Sequence, residues 1–161
     1  MTSSWSLSVL FGMCLLLALL IAIYPLSPSI SVYRPEVLCL MLIYWVLHSP
    51  QQFGVGIAWF VGMFQDVVED GVWGGHALAL ALVAYICMMS YQRLRSYSIG
   101  QQTFWIFVFV GIHQLFVNWI QGLDGYGGPA RHMAVSALVS AACWPLLVIC
   151  MRIVQRRYRI F

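Results

Sequence analysis

QQFGVGIAWFVGMFQDVVEDGVWGGHALALALVA, residues 51–84, begins as an apolar run and meets an acid at Asp66. It turns through Glu69, Asp70, Gly71, Gly74, Gly75 and His76, then re-enters an Ala/Leu-rich run. The pattern reads as two helices, over about 53–68 and 75–91, joined by a polar, glycine-rich turn. Gly54, Ala58, Gly62 and Asp66 are spaced four apart, so on a helix they form one stripe of three small residues ending in a carboxyl group. Small residues at this spacing let helix backbones approach closely in a membrane, where packing drives association. The stripe is expected to meet another helix. Packing within one bundle is the plainer reading, favoured about two to one over contact with another protein.

The rest of the chain has the same character. Of its 161 residues 62% are hydrophobic and 8% charged, with mean hydropathy +0.87. A water-soluble core of this size cannot hide so much apolar surface. The expected fold is therefore an all-α membrane protein: one compact bundle of about six transmembrane helices, over about 9–24, 37–47, 53–68, 75–91, 102–119 and 133–151. No linker divides it and no repeat is visible. The start lacks the basic n-region and small-residue cleavage site of a signal peptide, so the first helix is expected to be a retained span. The second follows Pro35, a residue suited to a first helical turn, and stops before His48, Ser49 and Pro50. Eleven or so residues cover only about half of a hydrocarbon core about 30 Å thick. Helices two and three are thus expected to be short, tilted or partly re-entrant. Pro145 marks a kink in the sixth.

Arginine placement sets the orientation. Six crossings put Arg93, Arg95, Arg152, Arg156, Arg157 and Arg159 on one side and Arg34 and Arg131 on the other. The positive-inside rule assigns both termini to the cytoplasm and the turn after Asp66 to the outside. The basic residues serve as a topology signal that can touch anionic lipid heads; a nucleic-acid site is the weaker reading.

Few residues offer chemistry. Asp66, Glu69, Asp70 and His76 could be imagined as metal ligands or an acid/base set, but spacing alone gives that about one chance in ten. Glu69 and Asp70 suit a solvated turn. A carboxyl group within a span costs on the order of 3 kcal/mol, so Asp66 should sit near the interface or have a partner. Gly111, Gln114, Asn118 and Gln121 recur at steps of three and four and share a face at the same outer depth. A hydrogen-bonded cluster of Asp66 with Gln114, Asn118 and Gln121 is the expectation. His113 and His132 stand alone, suited to packing. The five cysteines lie in apolar segments without a CxxC pair and read as small hydrophobes. No nucleophile triad, zinc-protease motif or phosphate loop occurs, and no enzyme activity, cofactor or metal is expected.

The ordered pattern Arg34-Pro35, Tyr44-Trp45-Val46-Leu47, Pro50, Gly54-Val55-Gly56, Gly62, Asp66, Gly74 and His76-Ala77-Leu78-Ala79 resembles the MreD family of rod shape-determining membrane proteins. It continues through Tyr91-Gln92-Arg93-Leu94-Arg95, Gln101-Gln102 and Trp144-Pro145 to Arg152. Glu69 and Asp70 make the turn richer in charge than that family's pattern, and no role is carried over to them. The resemblance implies a non-enzymatic subunit of the cell-elongation machinery in the bacterial inner membrane. Its implied fold is that of the membrane substrate-binding components of energy-coupling factor transporters. Its implied partner is the bitopic protein MreC, and through it the MreB filament, RodA and a class B penicillin-binding transpeptidase. On this reading the Gly54/Ala58/Gly62 stripe and Asp66 rim a face for an MreC-like partner. The alternative is a membrane substrate-binding subunit of a vitamin-type transporter, built around a cavity near Asp66, Asn118 and His76. A polar, ligand-sized pocket opening outward would favour the alternative.

Overall fold

The computed structural model describes residues 4–24, 33–69, 73–123, 125 and 128–158. Six α-helices and no strand occur among them: α1 Ser4–Ile23, α2 Val37–His48, α3 Val55–Val68, α4 Gly75–Ser96, α5 Ile99–Leu123 and α6 Ala130–Tyr158. Helices α4, α5 and α6 are long and apolar enough to cross a membrane; α1, α2 and α3 contribute shorter apolar segments. Large apolar side chains such as Met13, Leu20, Phe60, Phe64, Phe104 and Leu146 are exposed, as suits a protein whose solvent is lipid.

The later helices outrun the expected spans. Helix α4 continues through Arg93 and Arg95 to Ser96, α5 starts at Ile99, and α6 runs through Pro145 to Tyr158. Polar residues end a hydrophobic run without ending a helix, because the backbone ladder persists beyond the apolar layer.

Helix α2 lies at the centre. Nine of its 12 residues are buried, and it packs against α1 and α4 and touches α5 and α6. Being apolar on every face, it needs protein around it on every side. Phe11 of α1 meets Trp45 edge-on, with centroids 5.7 Å apart, and Phe53 at 4.2 Å, while Cys14 and Ala18 continue the same buried face. At 1.5 Å per residue, α2 is about 18 Å long, well short of the roughly 30 Å hydrocarbon layer. Its neighbours are longer, so space is left at each of its ends. Both ends open on polar cavities.

Helices α3 and α4 form an antiparallel pair. A Cβ on Gly62 would abut Ala77 Cα and come within 2.6 Å of Ala77 N and His76 O, so only glycine permits this approach. Ala58 is fully buried, and Gly54 faces Met88 more loosely, at 3.8 Å. Gly74, at φ +96°, makes the left-handed turn that feeds α4.

Candidate functional site

The outer site begins with Asp66 in the last turn of α3. Its side chain is 1% exposed and accepts hydrogen bonds from the backbone N–H groups of Gly74 and His76 at 2.9 Å and Ala77 at 3.3 Å, plus His76 Nδ1 at 2.9 Å. The first N–H groups of a helix have no intrahelical partner, and here an acid from the preceding helix satisfies them. The positive end of the α4 dipole adds to this attraction. His76 Nε2 then lies 3.6 Å from Glu69 Oε2, and Glu69 Oε1 accepts from Gln65 Nε2 at 3.1 Å.

A second set of bonds surrounds the start of α2. Glu36 N donates to Ser140 Oγ at 2.9 Å. Gln114 Nε2 donates to Ser136 Oγ at 2.7 Å and reaches Glu36 Oε1 at 3.4 Å. Ser136 Oγ donates to Arg34 O, and Arg34 Nη2 donates to Ile21 O near the end of α1, each at 2.7 Å. Burial, reinforced by the neighbouring Glu69, raises the pKa of Glu36; His76, Gln114 and Arg34 pull the other way without cancelling the rise.

Between the two sets lies a cavity of about 360 Å³ lined by Arg34, Glu36, Glu69, His76, His113, Gln114, Asn118, Gln121, His132 and Ser136 among others. His113 is 1% exposed and neither ring nitrogen has a partner; Gln114 Oε1 is buried and unpartnered as well. Its ring centroid is 5.8 Å from that of His76. Buried polar atoms without partners cost on the order of 1–3 kcal/mol each, which makes His113 and Gln114 the strained polar groups beside the cavity.

The structure redistributes the expected site. Asp66 makes no hydrogen bond to Gln114, Asn118 or Gln121; the backbone of α4 occupies it instead. Gln114, Asn118 and Gln121 do line one cavity, where they face His76 and Glu69, and Asn118 Oδ1 accepts from Gly128 N at 2.7 Å. The Gly54/Ala58/Gly62 stripe packs within the α3–α4 pair, closely at Ala58 and Gly62 and loosely at Gly54. Arg93 and Arg95 end α4, Arg152 and Arg156 lie in the last turns of α6, and all four are exposed. The side chain of Arg157, together with Arg159 and Asp70, lies outside the described residues. Among the described residues no group of three or more His, Cys, Asp or Glu is placed to hold a metal ion.

Glu36, His113, Ser136 and Ser140 were not legible as site residues from single positions. A signal was available in His132, Ser136 and Ser140, spaced four apart on α6 and so forming a polar stripe opposite the Gln114/Asn118 face of α5.

Comparison with known proteins gives a consistent result. The family model of the rod shape-determining protein MreD matches residues 3–156. The rod shape-determining protein MreD of Haemophilus influenzae (strain ATCC 51907 / DSM 11121 / KW20 / Rd) is 26% identical over 144 residues, covering 89% of this chain and 89% of that protein. No solved structure matches.

Proposed function

We propose, from the fact that the chain belongs to the MreD family of rod shape-determining proteins, that it is a non-enzymatic, multi-pass subunit of the cell-elongation assembly in the bacterial inner membrane. All six helices are embedded, with α2 enclosed by protein and α3 turning Phe60 and Phe64 to lipid, and both termini are cytoplasmic. The partner is an MreC-like bitopic protein, which links the bundle to MreB, RodA and a class B penicillin-binding transpeptidase.

The observation that carries this reading is the family match over residues 3–156, and the outer cavity beside His113 and Gln114 is the place proposed for the partner. A polar segment at the base of the partner's periplasmic part would enter there and supply the missing hydrogen bonds. In a membrane each such bond contributes on the order of 1 kcal/mol, so affinity would rest on several contacts. The test is quantitative mass spectrometry of what co-purifies with a C-terminally tagged copy at native expression level. Wild type is expected to bring down the MreC-like protein. His113→Leu and Gln114→Leu, paired to remove the polar demand, are expected to lower its recovery about tenfold while the chain remains folded. Undiminished recovery would refute this placement.

One observation favours a second reading. At about 360 Å³ the cavity is large enough for a small polar solute, as a substrate-binding subunit of a vitamin-type transporter would need. Recovery of an ATPase pair and a coupling subunit, without cell-wall synthesis proteins, would establish that reading in place of the scaffold.

A further inference from the structure

A second cavity, of about 260 Å³, lies at the opposite end of α2. It is lined by Leu47, His48, Arg95, Gln102, Val148 and Arg152. Four helices therefore converge on it, and the shortness of α2 is what leaves it open. Arg95 and Arg152 make no hydrogen bond or ion pair with any described residue, and both lie close enough to His48 to act on it electrostatically.

Among the described residues no acid offsets them: Glu36, Asp66 and Glu69 all lie at the other end of the helices. Two guanidinium groups sharing one recess repel each other, and each carries five N–H donors in a planar fork that matches phosphate oxygens. The rest of the lining is already fixed. Gln102 Nε2 donates to Leu94 O at 3.0 Å and Tyr97 O at 3.2 Å, while its Oε1 accepts from Trp144 Nε1 at 3.3 Å. His48 Nδ1 donates to Tyr44 O at 2.9 Å, which leaves Nε2 as its free atom. A frame held in this way presents two unpaired cations to one enclosed volume.

We propose that this recess is a phosphate-binding site in which Arg95 and Arg152 are the two anchoring cations. The phosphate belongs either to an anionic lipid headgroup or to a soluble phosphate compound.

The full chain in mild non-ionic detergent, at constant ionic strength, is melted against increasing dioctanoyl phosphatidylglycerol and, separately, inorganic phosphate. A saturable rise in Tm is expected with at least one of them. A response to lipid alone identifies a headgroup site, and a response to both shows that the phosphate group suffices. Arg95→Gln or Arg152→Gln should weaken the apparent Kd about tenfold, and the lysine variants should restore part of it because charge returns without the fork. Arg156→Gln, on the same helix but not lining the recess, should leave the Kd unchanged. Both arginines are exposed, so ligand-free melts of the variants should match wild type and show that they fold. Absence of a saturable shift with either probe would overturn the site. So would equal weakening by Arg156→Gln, which would mean diffuse attraction to a basic surface.

Discussion

The two ends of α2 are built from the same circumstance and opposite chemistry. Each end leaves a cavity because a 12-residue helix is surrounded by helices of up to 29 residues. At the outer end, Glu36, Glu69, His76, Gln114 and Ser136 are tied to one another and to backbone, and the unpartnered atoms of the cavity's lining residues are neutral ones on His113 and Gln114. At the inner end the unpartnered groups lining the cavity are cations, Arg95 and Arg152, with no acid beside them among the described residues. A lining of mixed donors and acceptors, with Arg34 as well as Glu36 and Glu69, suits a polar peptide or solute. Paired free guanidinium groups suit an anion. Backbone length thus makes the spaces, and the placement of Glu36, Asp66 and Glu69 at one end decides what each can hold.

The largest expected difference between the ends lies in the α3–α4 seam. At its outer end a Cβ on Gly62 would collide with backbone atoms of His76 and Ala77, whereas at its inner end one on Gly54 would rest 3.8 Å from the flexible Met88 side chain. Gly62→Leu should abolish recovery of folded protein, and Gly62→Ala should cost about 3 kcal/mol or more, the upper range for overpacking. Gly54→Ala should be near neutral. Thermal melts of the purified variants measure this, and equal effects at the two positions would mean that the seam is not tightest beside the outer site.

Asp66 comes next. Asp66→Asn keeps the size but replaces an acceptor oxygen with an N–H₂ group facing backbone donors, leaving one or more α4 N–H groups buried and unpaired. The expected loss is about 2–3 kcal/mol, read as a lower unfolding midpoint in mild detergent. Arg95→Gln without ligand should lose nothing comparable, since that group has no partner to lose. If Asp66→Asn melted like wild type, the carboxyl group would not be what anchors the start of α4.

These contrasts also show what could be read from sequence. The brevity of α2 was visible where Val37 to Leu47 stops at His48, Ser49 and Pro50, and the arginine count separated the basic end from the acidic one. Helical spacing identified the Gly54/Ala58/Gly62 face but not the helix it meets, because periodicity fixes direction around an axis and is silent on what lies across it. Asp66 was recognised as needing a partner, yet the search was among side chains. Its partners are backbone N–H groups eight to eleven residues on, and every helix start carries such donors whatever its sequence. The outer cavity was named only under the transporter alternative, near Asn118 and His76, and the inner one was not legible, since each is made by residues from several helices whose relative heights no single pattern records.

The smallest expected effect is a pH dependence confined to the outer end. In the folded chain the pKa of Glu36 is raised above its ordinary value of 4.5, chiefly by burial and then by Glu69. Because the native state holds this proton more tightly than the unfolded chain, the stability it contributes is complete below about pH 4.5 and is lost as pH rises through the folded value. Glu36→Gln retains an acceptor for Gln114 but removes the titration. Its unfolding midpoint should therefore equal that of wild type at the acid end and exceed it increasingly as pH rises, levelling off once Glu36 is ionised in both states. A flat Glu36→Gln curve would mean that Glu36 is as well solvated when folded as when unfolded, and that the outer end is no more enclosed than the inner one.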